Sequence, residues 1–165
     1  TLLIMGGGHG LGPIKGIIES LDKIPFDLQE IIVTGANKNL YSALSRNVNK
    51  FRKRIRVFSY VNNVNELMDV SDIIITKPGG ITTAEALAKK IPMIIVKPLP
   101  GQEVNNTIYL TEKGAAIKIE DIKDINFVIE DLLTSPDKLK IMRESAARIS
   151  KPNSSIDIAK LILSL

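Results

Sequence analysis

The sequence predicts an α/β fold built on a doubly wound, parallel, six-stranded sheet, Rossmann-like in type. Two observations carry this prediction. Short runs of Val, Ile and Leu recur without polar alternation, as in Ile73-Ile74-Ile75 and Met93-Ile94-Ile95-Val96. Such runs mark strands covered on both faces, the signature of a parallel sheet sandwiched by helices. Each run is followed by an amphipathic stretch, so strand and helix alternate along most of the chain. The 165 residues fit one domain with a sizeable core, and a hydrophobic content of 44% belongs to a folded chain.

In order, Leu2–Met5 reads as a strand and Leu11–Ile24 as a helix. Glu30–Thr34 is a strand and Lys38–Lys53 a helix; Ile55–Ser59 is a strand and Val64–Val70 a short helix. Asp72–Ile75 and Thr82–Lys90 form the next pair, then Pro92–Val96 and Glu103–Lys113, then a last strand over Ala115–Ile119. Three helices close the chain at roughly Asp124–Thr134, Pro136–Ser150 and Ser154–Ser164. The helix after Pro136 has Asp137 early and Arg143 and Arg148 late, as the macrodipole favours. Asn153 or Ser154 is the expected N-cap of the last one.

Composition narrows the chemistry. There is no cysteine and one histidine, so disulfides and thiolate metal sites are excluded, and neither a metal nor a cofactor is expected. The longest apolar runs are too short to span a bilayer. The chain starts with Thr1 inside a strand-like run, which reads as a piece of a longer protein cut at a domain boundary. Much of the net charge of +4 sits in Lys50, Arg52, Lys53, Arg54 and Arg56. A solvated helix end explains that cluster; a face toward an anionic membrane surface is the alternative. Aromatic residues make up 4%, with no stacking platform, so no nucleic-acid partner is expected.

The most informative stretch is Lys77-Pro78-Gly79-Gly80-Ile81-Thr82-Thr83-Ala84-Glu85, between a strand and a helix. A glycine pair at such a turn frees backbone N–H groups, and the helix behind adds the positive end of its dipole, so the site suits phosphate. Glu85, inside the first turns, can accept hydrogen bonds from sugar hydroxyls. Phosphate plus ribose means a nucleotide.

A second cluster, Gly6-Gly7-Gly8-His9-Gly10-Leu11-Gly12, follows the first strand. The dinucleotide fingerprint G-x-G-x-x-G fails there, because Leu11 or Pro13 stands where its third glycine belongs. The second strand ends in Thr34-Gly35 with no acid for a ribose, which argues against a dinucleotide oxidoreductase. The Gly-Lys-Ser/Thr of a phosphate loop is absent. His9 is either polar surface or a hydrogen-bond donor to a phosphate or transferred group; no carboxylate partner marks it as a general base. Pro98-Leu99-Pro100-Gly101-Gln102-Glu103-Val104-Asn105-Asn106 follows the fifth strand. Its amide and carboxylate can read sugar hydroxyls, or simply cap the helix. Backbone near Val61, past the third strand, could pair with the polar edge of a base.

Taken together, Lys-Pro-Gly-Gly-Ile-Thr-Thr-Ala-Glu-Ala and Pro-x-Pro-Gly-Gln-Glu-x-x-Asn behind a glycine loop resemble the C-terminal, donor-binding domain of two-domain (GT-B) glycosyltransferases. The resemblance covers nearly the whole chain. It is strongest to diacylglycerol glycosyltransferases, the monogalactosyldiacylglycerol synthases and the processive diacylglycerol glucosyltransferases. It implies that UDP-glucose or UDP-galactose binds here and that a lipid acceptor, diacylglycerol, binds a preceding domain. By the same resemblance, Gly79, Gly80, Ile81 and Thr82 donate to the diphosphate and Glu85 holds the ribose. Gly101, Gln102 and Glu103 contact the sugar with Asn106 in support, Val61 meets the uracil, and Gly7, Gly8 and His9 close over the diphosphate. The implied reaction is inverting displacement at the anomeric carbon without a metal, its base supplied by the preceding domain. The implied location is cytoplasmic, at the membrane periphery. Two alternatives stay open: the N-acetylglucosaminyltransferase of peptidoglycan-precursor synthesis, and a donor-binding domain inactive without a partner. The former tends to carry a glutamine pair where Gln102-Glu103 stands, so the acid favours a hexose without an N-acetyl group.

Overall fold

The computed structural model describes all 165 residues. Six strands, β1 (Leu2–Met5), β2 (Gln29–Val33), β3 (Arg54–Phe58), β4 (Ile73–Thr76), β5 (Met93–Val96) and β6 (Ala116–Ile119), form one sheet in the order β3-β2-β1-β4-β5-β6. Every pairing is parallel, with Leu2 beside Glu30 and Ile73, and Met93 beside Ala116. Eight α-helices connect and follow them: α1 (Ile14–Leu21), α2 (Lys38–Ser45), α3 (Val64–Asp69), α4 (Gly80–Ala88), α5 (Gln102–Glu112), α6 (Ile125–Thr134), α7 (Pro136–Ile149) and α8 (Ser154–Leu163).

The strand period of two divides the core in two. Leu2, Ile4, Ile32, Ile73, Ile75 and Ile94 face one side, where Ile14, Ile17, Ile18 and Leu21 of α1 and Ile125, Ile129 and Leu132 of α6 cover them. Leu3, Met5, Ile74, Met93 and Ile95 face the other, under Ala86 and Leu87 of α4, Leu110 of α5 and Ala146 of α7. Burying each such isoleucine or leucine is worth about 1.5–3 kcal/mol, so both faces must be covered for the sheet to persist.

Several boundaries differ from the sequence reading. The stretch expected as one helix from Lys38 to Lys53 ends at Ser45 and is followed by a 3₁₀ turn over Val48–Lys50. Asn47 is the cause: its Nδ2 donates to the Ala43 carbonyl at 2.7 Å, an alternative to continuing the helix ladder. The first helix begins at Ile14 rather than Leu11, because the loop continues through Gly12 to Pro13. Asn153 is the N-cap of α8, as expected, though its side chain makes no capping bond. The basic cluster is also smaller than it reads: Lys53 turns inward and donates to the carbonyls of Ile24 and Phe26 at 2.6 and 2.5 Å.

Glu30 is 1% exposed in β2, and neither carboxylate oxygen has a hydrogen-bond partner. Burial, reinforced by nearby Asp22 and opposed by Lys53, pushes its pKa up to about 8. At neutral pH Glu30 is therefore mostly a neutral acid.

Candidate nucleotide-sugar site

The sheet order reverses between β1 and β4, so the loops leaving these two strands diverge to opposite faces and open a crevice at their carboxyl ends. The glycine loop Gly6–Gly12 lies on one side of that crevice and Lys77–Gly80 on the other. The Pro98–Gly101 loop, leaving neighbouring β5, adjoins the second.

Of the helices that start at the carboxyl edge, α1, α4 and α5 border the crevice, and no side chain caps them. By contrast, α2 is closed by Asn37, whose Oδ1 accepts from the Leu40 N–H at 3.0 Å. In α4, Gly79 is the extended N-cap (φ −64°, ψ 146°), and the first bond of the helix runs from the Thr83 N–H to the Gly79 carbonyl at 2.9 Å. The N–H groups of Gly80, Ile81 and Thr82 have no intrahelical acceptor, and Gly80 and Ile81 are exposed. Free N–H groups with a helix dipole behind them are what binding an anion requires. The helix starts two residues earlier than expected, which places Gly80 and Ile81 in its first turn.

Glycines of the crevice fall into two kinds. A β-carbon on Gly10 would lie 1.9 Å from the Thr34 carbonyl oxygen, and one on Gly35 would lie 2.5 Å from that of Gly8. These glycines let the first loop pack against the loop after β2, a contact sealed by the Ala36 N–H donating to Gly8 at 2.9 Å. At Gly7, Gly8, Gly79 and Gly101 an added β-carbon would meet nothing within 4 Å. Gly101 has a backbone reason to be glycine, with φ 92° and ψ −124°. Gly8 and Gly79 have none: neither has a positive φ and neither is crowded.

Three contacts join the β4 and β5 loops. The Asn106 Nδ2 donates to the Pro78 carbonyl at 2.8 Å. A β-carbon on Gly80 would sit 3.3 Å from Gln102 Nε2, so the exposed glutamine lies directly against the start of α4. Lys77 Nζ is 3.2 Å from Glu103 Oε1, in a pair with side chains 10% and 19% exposed. The other Glu103 oxygen accepts from the Leu99 N–H at 2.7 Å, so Glu103 braces the preceding loop rather than capping the α5 N–H groups.

The Glyco_tran_28_C signature, the glycosyltransferase family 28 C-terminal domain, matches residues 1–162. This chain belongs to that family. Among curated relatives, a processive diacylglycerol β-glucosyltransferase of Bacillus cereus is 41% identical over 163 residues. A protein of the same name from Bacillus mycoides is 40% identical over 163 residues. Each match covers 98% of this chain and 42% of the relative, so the family 28 domain spans less than half of those proteins. Among solved structures, MurG of Acinetobacter baumannii superposes with a TM-score of 0.81 at 20% identity, covering 99% of this chain and 52% of that one. WaaG, a glycosyltransferase of lipopolysaccharide biosynthesis, gives 0.69 at 20% identity, covering 96% and 46%. These likenesses establish the doubly wound fold as that of a GT-B domain.

Within the family 28 domain, the structure brings the residues singled out from the sequence to one edge. Gly79, Gly80, Ile81 and Thr82 form the α4 start; Gly101, Gln102, Glu103 and Asn106 form the α5 start beside it. Glu85 lies in the second turn of α4, half-buried, and makes no side-chain hydrogen bond or ion pair. Its oxygens are not among the buried polar atoms that lack a partner. Gly8 and His9 are exposed and Gly7 half-buried, on the far side of the crevice. Val61 lies past the end of β3, half-buried, its side chain packed on the second core cluster. Lys77 was missed. The clue to it was its place directly after four fully buried strand residues, where a lysine needs a partner.

A cavity of about 950 Å³ lies elsewhere. It opens at the amino ends of β2 and β3, between Glu30, Phe51, Lys53, Arg54 and Arg56. None of its lining residues belongs to the start of α1, α4 or α5, whose free N–H groups lie at the other edge.

Proposed function

We propose that this domain binds the nucleotide-sugar donor of a longer, two-domain glycosyltransferase that moves a hexose from UDP-glucose or UDP-galactose to a diacylglycerol acceptor. The observation that carries the proposal is the pair Gly8 and Gly79. Neither crowding nor a positive φ demands glycine at either position, and a ligand passing close to the backbone supplies a reason. The free N–H groups of Gly80, Ile81 and Thr82 and the α4 dipole suit a diphosphate, with Gly7, Gly8 and His9 covering it from the β1 side. The unpartnered Glu85 carboxylate accepts from the two ribose hydroxyls, and the open backbone around Val61 takes the uracil. Gln102 and Glu103, supported by Asn106, read the hexose.

Charge develops on the leaving UDP as the anomeric bond breaks. Fixed N–H donors and a helix dipole stabilise that charge without reorganising, which is usually the largest catalytic contribution. A base from the preceding domain takes the acceptor proton, and the displacement inverts the anomeric carbon. The names of the curated relatives support the glucosyl donor and the lipid acceptor, and Glu103 in place of a second glutamine supports a hexose without an N-acetyl group. Such an enzyme works from the cytoplasmic side at the membrane surface.

Calorimetric titration with UDP tests the proposal. Glu85→Ala is expected to weaken binding by about 1–3 kcal/mol, the scale of a lost charged hydrogen-bond partner. Gly79→Ala should cost about 1 kcal/mol or less in urea unfolding, the scale of a poorer N-cap, while UDP binding weakens at least severalfold. No heat and no amide shifts with UDP would sink the reading. A full-length assay comparing UDP-glucose, UDP-galactose and UDP-N-acetylglucosamine distinguishes the donor.

A further inference from the structure

We infer that Lys77 is a positioning residue for the donor sugar, acting through Glu103. The inference rests on the donor-site reading above and extends it to a residue that would not itself touch the nucleotide or the hexose.

Lys77 is 9% exposed, and no other lysine or arginine of the chain is buried. Its side chain leaves the end of β4, passes 4.0 Å from where a Gly12 β-carbon would lie, and ends 3.2 Å from Glu103 Oε1. A desolvated ion pair is a poor way to stabilise a fold, because desolvating both charges offsets most of their attraction; well-packed apolar side chains of similar volume usually do as well or better. The pair therefore needs an explanation beyond stability, and its position supplies one. Glu103 opens the first turn of α5 beside Gln102, which lies against Gly80 of the anion loop. One Glu103 oxygen is held by Lys77 and the other by the Leu99 N–H. Each carboxylate oxygen keeps a second lone pair for a hydroxyl donor. The carboxylate thus has a single defined orientation before any sugar arrives. Without the ammonium, Glu103 would be free to swing toward the uncapped N–H groups of its own helix, which favour a nearby anion.

The test is titration of the wild-type chain, Lys77→Met and Glu103→Gln with UDP and with the UDP-hexose that the wild type binds more tightly. UDP lacks the sugar, so its affinity reports on the nucleotide site alone. If the inference holds, UDP binding changes by less than about threefold in both variants while UDP-hexose binding weakens about tenfold, as for loss of a charge-assisted contact. General damage to the fold would lower both affinities together. Equal weakening for UDP and UDP-hexose in Lys77→Met, or no change in either, overturns the inference and leaves the donor-site reading standing. A wild-type chain that binds neither ligand overturns both. Should Lys77→Met fail to fold, the near-isosteric Glu103→Gln carries the same comparison, and an unchanged ratio of the two affinities in it overturns the inference.

Discussion

Glu30 shows how much a single side chain's position can decide. Its folded-state pKa of about 8 stands well above the ordinary 4.5, and burial is the chief cause. Below pH 4.5 the carboxyl is protonated in both folded and unfolded chains, and no penalty arises. Between those two values the unfolded chain releases a proton that the fold retains, so stability falls as pH rises and the loss is complete above pH 8. Urea unfolding is expected to show a decline of a few kcal/mol between about pH 5 and about pH 9, since each tenfold difference in proton affinity between the two states is worth about 1.4 kcal/mol. Glu30→Gln should flatten that slope; an equally steep slope in the variant would mean that Glu30 is not its source. In the sequence, Glu30 was legible as a strand residue but not as an inward one. The alternation Glu30, Ile32 placed it on a core face, yet an acid at the start of a strand usually reads as solvent-facing.

Helix ends govern the next scale. At the far end of α4, Lys90 has φ 56°, with its N–H donating to Leu87 and that of Ile91 to Ala86, both at 3.0 Å. The equivalent turn after α5 uses Gly114, with φ 72°. Lys90 therefore holds a left-handed conformation that glycine adopts without strain. Lys90→Gly is expected to raise stability by about 0.5–1 kcal/mol in urea titration, despite the general cost of glycine to chain entropy. Gly101→Ala should act oppositely, costing about 1–3 kcal/mol, because its backbone angles belong to glycine alone. The ends of α4 and α5 were both visible in the sequence, but not the angles at Lys90 and Gly114. The start of α4 was placed two residues late for a similar reason: propensity disfavours glycine in a helix, whereas a first turn with free N–H groups tolerates it.

At the scale of the molecule, α8 stands apart. Every residue from Lys151 to Leu165 is exposed, including Ile156, Ile158, Leu161, Ile162 and Leu163. Helix stability in proteins comes mainly from packing an apolar face, and α8 packs none against this domain. Shortening the chain to residue 151 is therefore expected to leave its thermal midpoint within about 2 °C of the original, a change that corresponds to about 0.5–1 kcal/mol for a domain of this size. A larger drop would show that α8 carries stability that its exposure does not predict.

The sequence by itself determined the order of strands and helices and the doubly wound sheet. It also determined that two glycine-bearing loops must meet at the carboxyl edge. These are matters of period and local chemistry: continuous apolar runs have to be covered on both faces, and strand-to-helix glycines have to lie where the strands end. Only the tertiary structure decided that Lys77 reaches Glu103, that Gly8 and Gly79 face open space while Gly10 and Gly35 are packed, and that Glu30 is buried without a partner. Each of these depends on distances between segments remote in the chain, and no residue pattern records them until the sheet brings those segments together.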